Sequence, residues 1–112
     1  MRIAFTTQGT DWDSRMDARF GRTEYLFVYD DETEKIDYFD NRESADKVHG
    51  AGPYTATNLF KFTPDILITG NGPGKNATSA LRQLKLKTYV GAGEMTIKEA
   101  YEAYKKSTLP EF

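Results

Sequence analysis

The sequence has no cysteine, and only one histidine and one tryptophan among 112 residues. Without thiols there is no disulfide framework, no cysteine-type zinc site and no thiolate-held iron–sulfur cluster. The single histidine, His49, has no second imidazole or thiol with which to complete a transition-metal site, and no Ser-His-Asp pattern surrounds it. Basic runs are also missing. With 15 basic against 17 acidic side chains, the chain offers no electrostatic footprint for nucleic acid. No apolar stretch approaches ~18 residues, so no membrane span is expected. The opening Met1-Arg2-Ile3-Ala4-Phe5-Thr6 lacks the apolar region of a signal peptide, which makes the cytoplasm the expected compartment.

What is present is the composition of one globular domain over residues 1–112, long enough to bury about two-thirds of its unfolded surface. Arg2 to Thr7 is a short apolar run of the kind a central strand carries. Thr23–Tyr29 and Lys35–Phe39, joined by the polar turn Asp30–Glu34, read as an antiparallel hairpin. A helix is expected from Pro53 to about Phe62, with Ala56, Leu59, Phe60 and Phe62 as its apolar face; Pro53 suits a first turn because its missing N–H would be unpaired there. Ile66–Thr69 is apolar on both faces, as in a buried parallel strand. Ala77, Ala80, Leu81 and Leu84 mark a second helix, Leu86–Val90 a fifth strand, and Thr96-Ile97-Lys98-Glu99 a capping box opening a third helix.

The order β-β-β-α-β-α-β-α predicts an α/β fold in three layers. Its sheet is mixed and five-stranded, in order 3-2-1-4-5 with strand 2 antiparallel, and carries three helices, as in ribonuclease H-like domains. In that topology the segments 8–22, 41–52, 70–75 and 91–95 share one edge of the sheet, and they hold all nine glycines. Three helix N-termini point at the same edge, with unpaired N–H groups and partial positive charge. Ligands of open α/β sheets bind outside the carboxyl ends of the strands, so a ligand site is expected there. Glycine also belongs in loops for conformational reasons alone.

Individual motifs narrow the chemistry. Gly70-Asn71-Gly72-Pro73-Gly74-Lys75 is not a phosphate loop, because it is one residue short before Gly-Lys and Asn76 replaces the Ser/Thr that would hold magnesium. It reads either as a tight strand-to-helix turn or as a backbone anion nest. A two-metal nuclease needs carboxylates converging on the sheet centre, and the first strand has none. Asp11, Asp13 and Asp17 stand on a polar loop, where solvated charge is the expected role. Asn76-Ala77-Thr78 spells a glycosylation sequon in a chain not expected to be secreted. His49 is either a solvated loop residue or a ligand contact. Trp12 and Met16 either close over a ligand or fold back onto the core.

Across nearly its whole length the chain resembles the dinitrogenase iron–molybdenum cofactor biosynthesis family. The resemblance runs through Ile3-Ala4-Phe5, Arg19-Phe20-Gly21-Arg22, Asn41, His49-Gly50-Ala51-Gly52-Pro53, Pro64–Ile68, the Gly70–Gly74 turn, Leu81, and Thr96–Ala100 with Tyr104. It departs in Lys106-Ser107-Thr108-Leu109, where members often have a Gly before Leu, and in the glycine-rich Gly70–Gly74 turn. The resemblance implies a non-catalytic binding or carrier domain for an iron–sulfur or iron–molybdenum type cluster or its precursor, with cluster-donor or acceptor proteins as partners. The alternative is a module for a phosphate-containing small molecule or a regulatory partner. The expected contacts are Phe20, Gly21, Arg22, His49, Gly50, Gly52, Gly70, Gly72, Gly74 and Lys75, with His49 as the metal contact. A cysteine-free domain can hold an anionic, preassembled cluster only through histidine, arginine and backbone N–H groups, which makes its binding weak and exchangeable.

Overall fold

A computed structural model describes residues 1–112 apart from Val48 and the side chains of Ala45 and Asn76. Five strands, β1 (Arg2–Thr7), β2 (Tyr25–Asp30), β3 (Ile36–Asp40), β4 (Ile66–Ile68) and β5 (Lys87–Tyr89), form one sheet in the order β3-β2-β1-β4-β5. β2 runs antiparallel to both β1 and β3, and β1, β4 and β5 are parallel, as expected. The central strand aligns Phe5 with Phe27 on one side and with Ile68 on the other.

Alternation along the strands divides the core between two faces. Ile3, Phe5, Phe27, Ile66 and Ile68 pack with Ile97 and Ala100 of α4 (Ile97–Lys105). Ala4, Leu26, Val28 and Leu67 face α2 (Ala51–Phe60) and α3 (Lys75–Gln83), which supply Ala56, Leu59, Ala77 and Leu81. Phe60 departs from the expected stripe and is exposed, since Ala56 and Leu59 already fill the face of α2 that meets the sheet. A fourth helix, α1 (Arg42–Ala45), is one turn long and stands in a segment expected to be loop.

The long connection after β1 is ordered by pairing. Thr7 bridges to Met16 and Arg15 to Thr96, tying the loop to the start of α4. Met16 is buried in the core, and Trp12 packs edge-on against Phe5, Phe27 and Tyr29. Both side chains pack on the core. No helix among the described residues is long and apolar enough to cross a membrane.

Candidate functional site

The loops after β1, β3, β4 and β5 meet at one edge because small residues let their backbones touch. A Cβ on Gly21 would stand 2.8 Å from the Gly52 nitrogen, and one on Gly52 would stand 2.8 Å from the Ala77 Cβ. This stack binds the first loop to the opening turns of α2 and α3. A second one brings Gly70 against Ala18 and Gly93. Several edge glycines are therefore fixed by close backbone approach, a role that residue spacing alone does not reveal.

Buried polar groups lock the same segments. Asp17 is almost fully buried, contrary to the expectation of a solvated loop charge. Its carboxylate accepts two hydrogen bonds from the Arg19 guanidinium, at 3.0 and 3.1 Å, and others from the backbone N–H groups of Arg19 and Glu24. Those contacts replace the water the carboxylate loses, and Asp17 in turn raises the Arg19 pKa above its ordinary value. The Gly21 carbonyl accepts from the Ser44 hydroxyl at 2.6 Å and from the Thr55 hydroxyl at 2.7 Å. Asn41 donates to the Thr23 carbonyl and to Thr55, and Asn58 donates to Asn41. α1 is held in place by this network, since Ser44 is its buried contact.

Above this scaffold opens a groove of about 380 Å³, lined by Arg19, Gly21, Arg22, Gly50–Pro53, Gly74, Lys75 and Ala77. Two helices begin in it. The N-caps of α2 and α3 are Gly50 and Gly74, and neither helix has a side-chain cap. Among the described residues no side chain closes these first turns, which open on the groove beside Arg22 and Lys75. α4 differs, since Thr96 and Glu99 close its N-terminus with a reciprocal capping box. Gly50 sits at φ 79°, where glycine is favoured. Gly74 has an ordinary φ of −66° and open space where a Cβ would go, so neither packing nor backbone conformation requires glycine there. The arrangement is chemically suited to an anion approached closely by backbone.

The structure brings Gly21, Arg22, Gly50, Gly52, Gly74 and Lys75 together in this groove. Arg19, absent from the expected set, joins them; its place beside Phe20-Gly21-Arg22 was the available signal. The Phe20 ring does not line the groove, because it is buried in the core face formed by Ala4 and Leu26. Gly70 lines a neighbouring depression of about 470 Å³ with Ala18, Asn71, Gly91 and Gly93. Gly72 is covered by the Phe112 ring. His49 is exposed and immediately precedes the Gly50 cap, outside the set of lining residues. No group of three or more His, Asp or Glu side chains is placed to hold a metal ion among the described residues. The Asn76 side chain lies outside the described residues.

A family model described as dinitrogenase iron–molybdenum cofactor matches residues 1–107. The apo form of the orange protein from Desulfovibrio gigas superposes with a TM-score of 0.92 at 32% identity, covering 99% of this chain and 92% of that one. A NifB-type protein from Thermotoga, solved by NMR, gives 0.84 at 32% identity, covering 98% and 91%. A dinitrogenase-type protein from Methanocaldococcus jannaschii, at 15% identity and a TM-score of 0.69, shares the fold; the match covers 100% of this chain and 94% of that one. No curated protein matches.

Proposed function

The chain belongs to the dinitrogenase iron–molybdenum cofactor family, and from that membership we propose that it is a non-catalytic carrier of an iron–sulfur or iron–molybdenum type cluster or its precursor. The observation that carries this reading is the groove in which two uncapped helix N-termini meet beside Arg22 and Lys75. An anionic cluster would be held there by charge and by first-turn N–H donors of α2 and α3, with Gly74 leaving room for close approach. His49, exposed and next in sequence to the Gly50 cap, would add a metal–nitrogen bond. Phe20, Gly70 and Gly72 shape the surrounding loops. Without thiolates the cargo stays exchangeable, so that a donor protein can load it and an acceptor can remove it.

Anaerobic titration with a preformed anionic iron–sulfur or molybdenum–sulfur cluster tests this directly. A protein-dependent visible absorption band should appear, with amide shifts at residues 21–22, 50–52 and 74–77. His49→Ala should weaken binding if the imidazole is a ligand, and unchanged binding removes it from the site. Gly74→Asp is the sharper variant: an aspartate N-cap in place of glycine stabilises α3 by roughly a few tenths of a kcal/mol while placing a carboxylate where the anion would sit. Lost cluster binding in a protein of raised Tm is the expected result, and undiminished binding would overturn the placement. The same N–H groups suit a phosphate-containing small molecule. Shifts at these amides with inorganic phosphate or a nucleotide, and none with clusters, would establish that alternative.

A further inference from the structure

The two edges of the sheet are finished differently. Beside β5, residues 110–112 cover the edge through backbone pairing: Val90 N–H donates to the Pro110 carbonyl at 2.9 Å and Phe112 N–H to the Thr88 carbonyl at 2.8 Å. Tyr89 and Glu111 form the antiparallel bridge between them. Among the described residues, nothing pairs with the outer side of β3. The hydrogen bonds Asp30 N–Lys35 O and Asn41 N–Glu24 O fix which groups are left over. By the alternation of an antiparallel ladder, Asp37 and Phe39 turn their backbone groups toward β2, while those of Ile36, Tyr38 and Asp40 point outward.

That open edge carries an unusual mixture of side chains. Ile36 and Tyr38 are 40% and 61% exposed, on the sheet face shared with Phe27 and Tyr29. Residues 30–40 contain six carboxylates and one lysine. Arg2, the Met1 ammonium group and Arg42 answer Asp30, Asp31 and Asp40, and Glu34 and Asp37 have no ion pair among the described residues. Carboxylates alone would discourage edge-to-edge pairing between copies. They leave unexplained why two large apolar side chains stand exposed beside unpaired backbone groups.

We propose that β3 is a docking edge for an extended basic segment of another protein, which adds to the sheet as a sixth strand. Outward N–H and C=O groups of Ile36, Tyr38 and Asp40 supply the ladder. Because side chains alternate across a strand, the segment would place apolar residues over Ile36 and Tyr38 and lysine or arginine on the face of Asp37. A second copy of this chain is the wrong occupant, since it would set two acidic hairpins side by side. The hairpin turn lies at the sheet edge opposite the groove between α2 and α3, so a docked partner leaves that groove open. The inference stands independently of the cargo the groove takes.

Two nine-residue peptides test it against the full isotope-labelled chain, one alternating lysine with valine and one alternating glutamate with valine. The lysine peptide should shift the amides of Ile36, Tyr38 and Asp40, bind at least about tenfold more tightly than the glutamate peptide, and weaken as salt is added. Tyr38→Lys, on an exposed side chain, should reduce that binding about tenfold with thermal unfolding unchanged. Equal affinity for the two peptides would overturn the proposal. So would shifts confined to residues 50–52 and 74–77, undiminished binding by Tyr38→Lys, or self-association of the chain that moves the β3 amides.

Discussion

Gly21 lies directly on the backbone of Gly52, with 2.8 Å between the place of a Cβ on the first and the nitrogen of the second. Nothing flexible stands on either side, so an added methyl group must push the first loop away from α2. The Gly21 carbonyl is also the acceptor for Ser44 and Thr55, so the displacement would strain two buried hydrogen bonds. Gly21→Ala should destabilise the protein by about 2 kcal/mol, within the range for overpacked sites. Urea denaturation checks this, with Gly74→Ala as the comparison, because a Cβ at position 74 meets nothing within 4 Å.

Asp17 anchors the first loop from below the groove. Asp17→Ala removes the acceptor for Arg19 and strands the partly buried N–H of Glu24, at a cost of about 2 kcal/mol. Arg19→Ala should cost less, because two backbone donors still reach the carboxylate and the guanidinium is itself half-exposed. Denaturant midpoints of the two variants should fall in that order; the reverse order would show that the charge pair, not the backbone contacts, holds the loop.

Arg42 holds the Asp40 carboxyl down to about 2 through two side-chain hydrogen bonds, from an ordinary value of 3.8. A carboxyl with a depressed folded-state pKa contributes stability that is fully present above its ordinary range and is lost as pH falls through the folded value. The contribution of this pair is therefore constant at neutral pH and disappears between about pH 4 and 2. Both groups are on the surface, so the effect on global unfolding is small and the local titration is the better probe. Carboxyl carbon shifts of Asp40 should titrate near 2, and Arg42→Ala should return the midpoint toward 3.8.

Much of this fold follows from local pattern. β1 carries its own apolar run, the hairpin its polar turn, and α4 its capping box, so their order and the sheet topology were legible from the residues. The tertiary contacts were not. Asp17 looks like any loop aspartate until Arg19 and the Glu24 N–H close around it, and α1 is too short to show a periodicity and depends on Ser44 reaching Gly21. The glycines show the limit most clearly. Gly52 and Gly74 sit at neighbouring helix starts and look alike in sequence, yet a Cβ on one meets Ala77 at 2.8 Å and on the other meets open space. Neither packing nor backbone conformation requires glycine at the second.

Ser107 is one of four described residues other than glycine that stand at positive φ, with Glu34, Thr63 and Lys85. α4 ends in a paired set of hydrogen bonds, Ser107 N–H to the Tyr104 carbonyl and Thr108 N–H to the Ala103 carbonyl, each at 3.0 Å. That closure places the residue after the cap in the left-handed region, and Ser107 stands there at φ 59°. A left-handed conformation costs a residue with a Cβ roughly 1–2 kcal/mol, and the extra unfolded-state freedom of glycine returns part of that. Ser107→Gly should therefore stabilise the protein by about 1 kcal/mol, a rise of several degrees in Tm for a chain of this size. Ser107→Val should lower it, because branching at Cβ crowds the same backbone further. Thermal unfolding of the two variants decides the point: if both shift Tm in one direction, the left-handed turn is not what limits the end of α4.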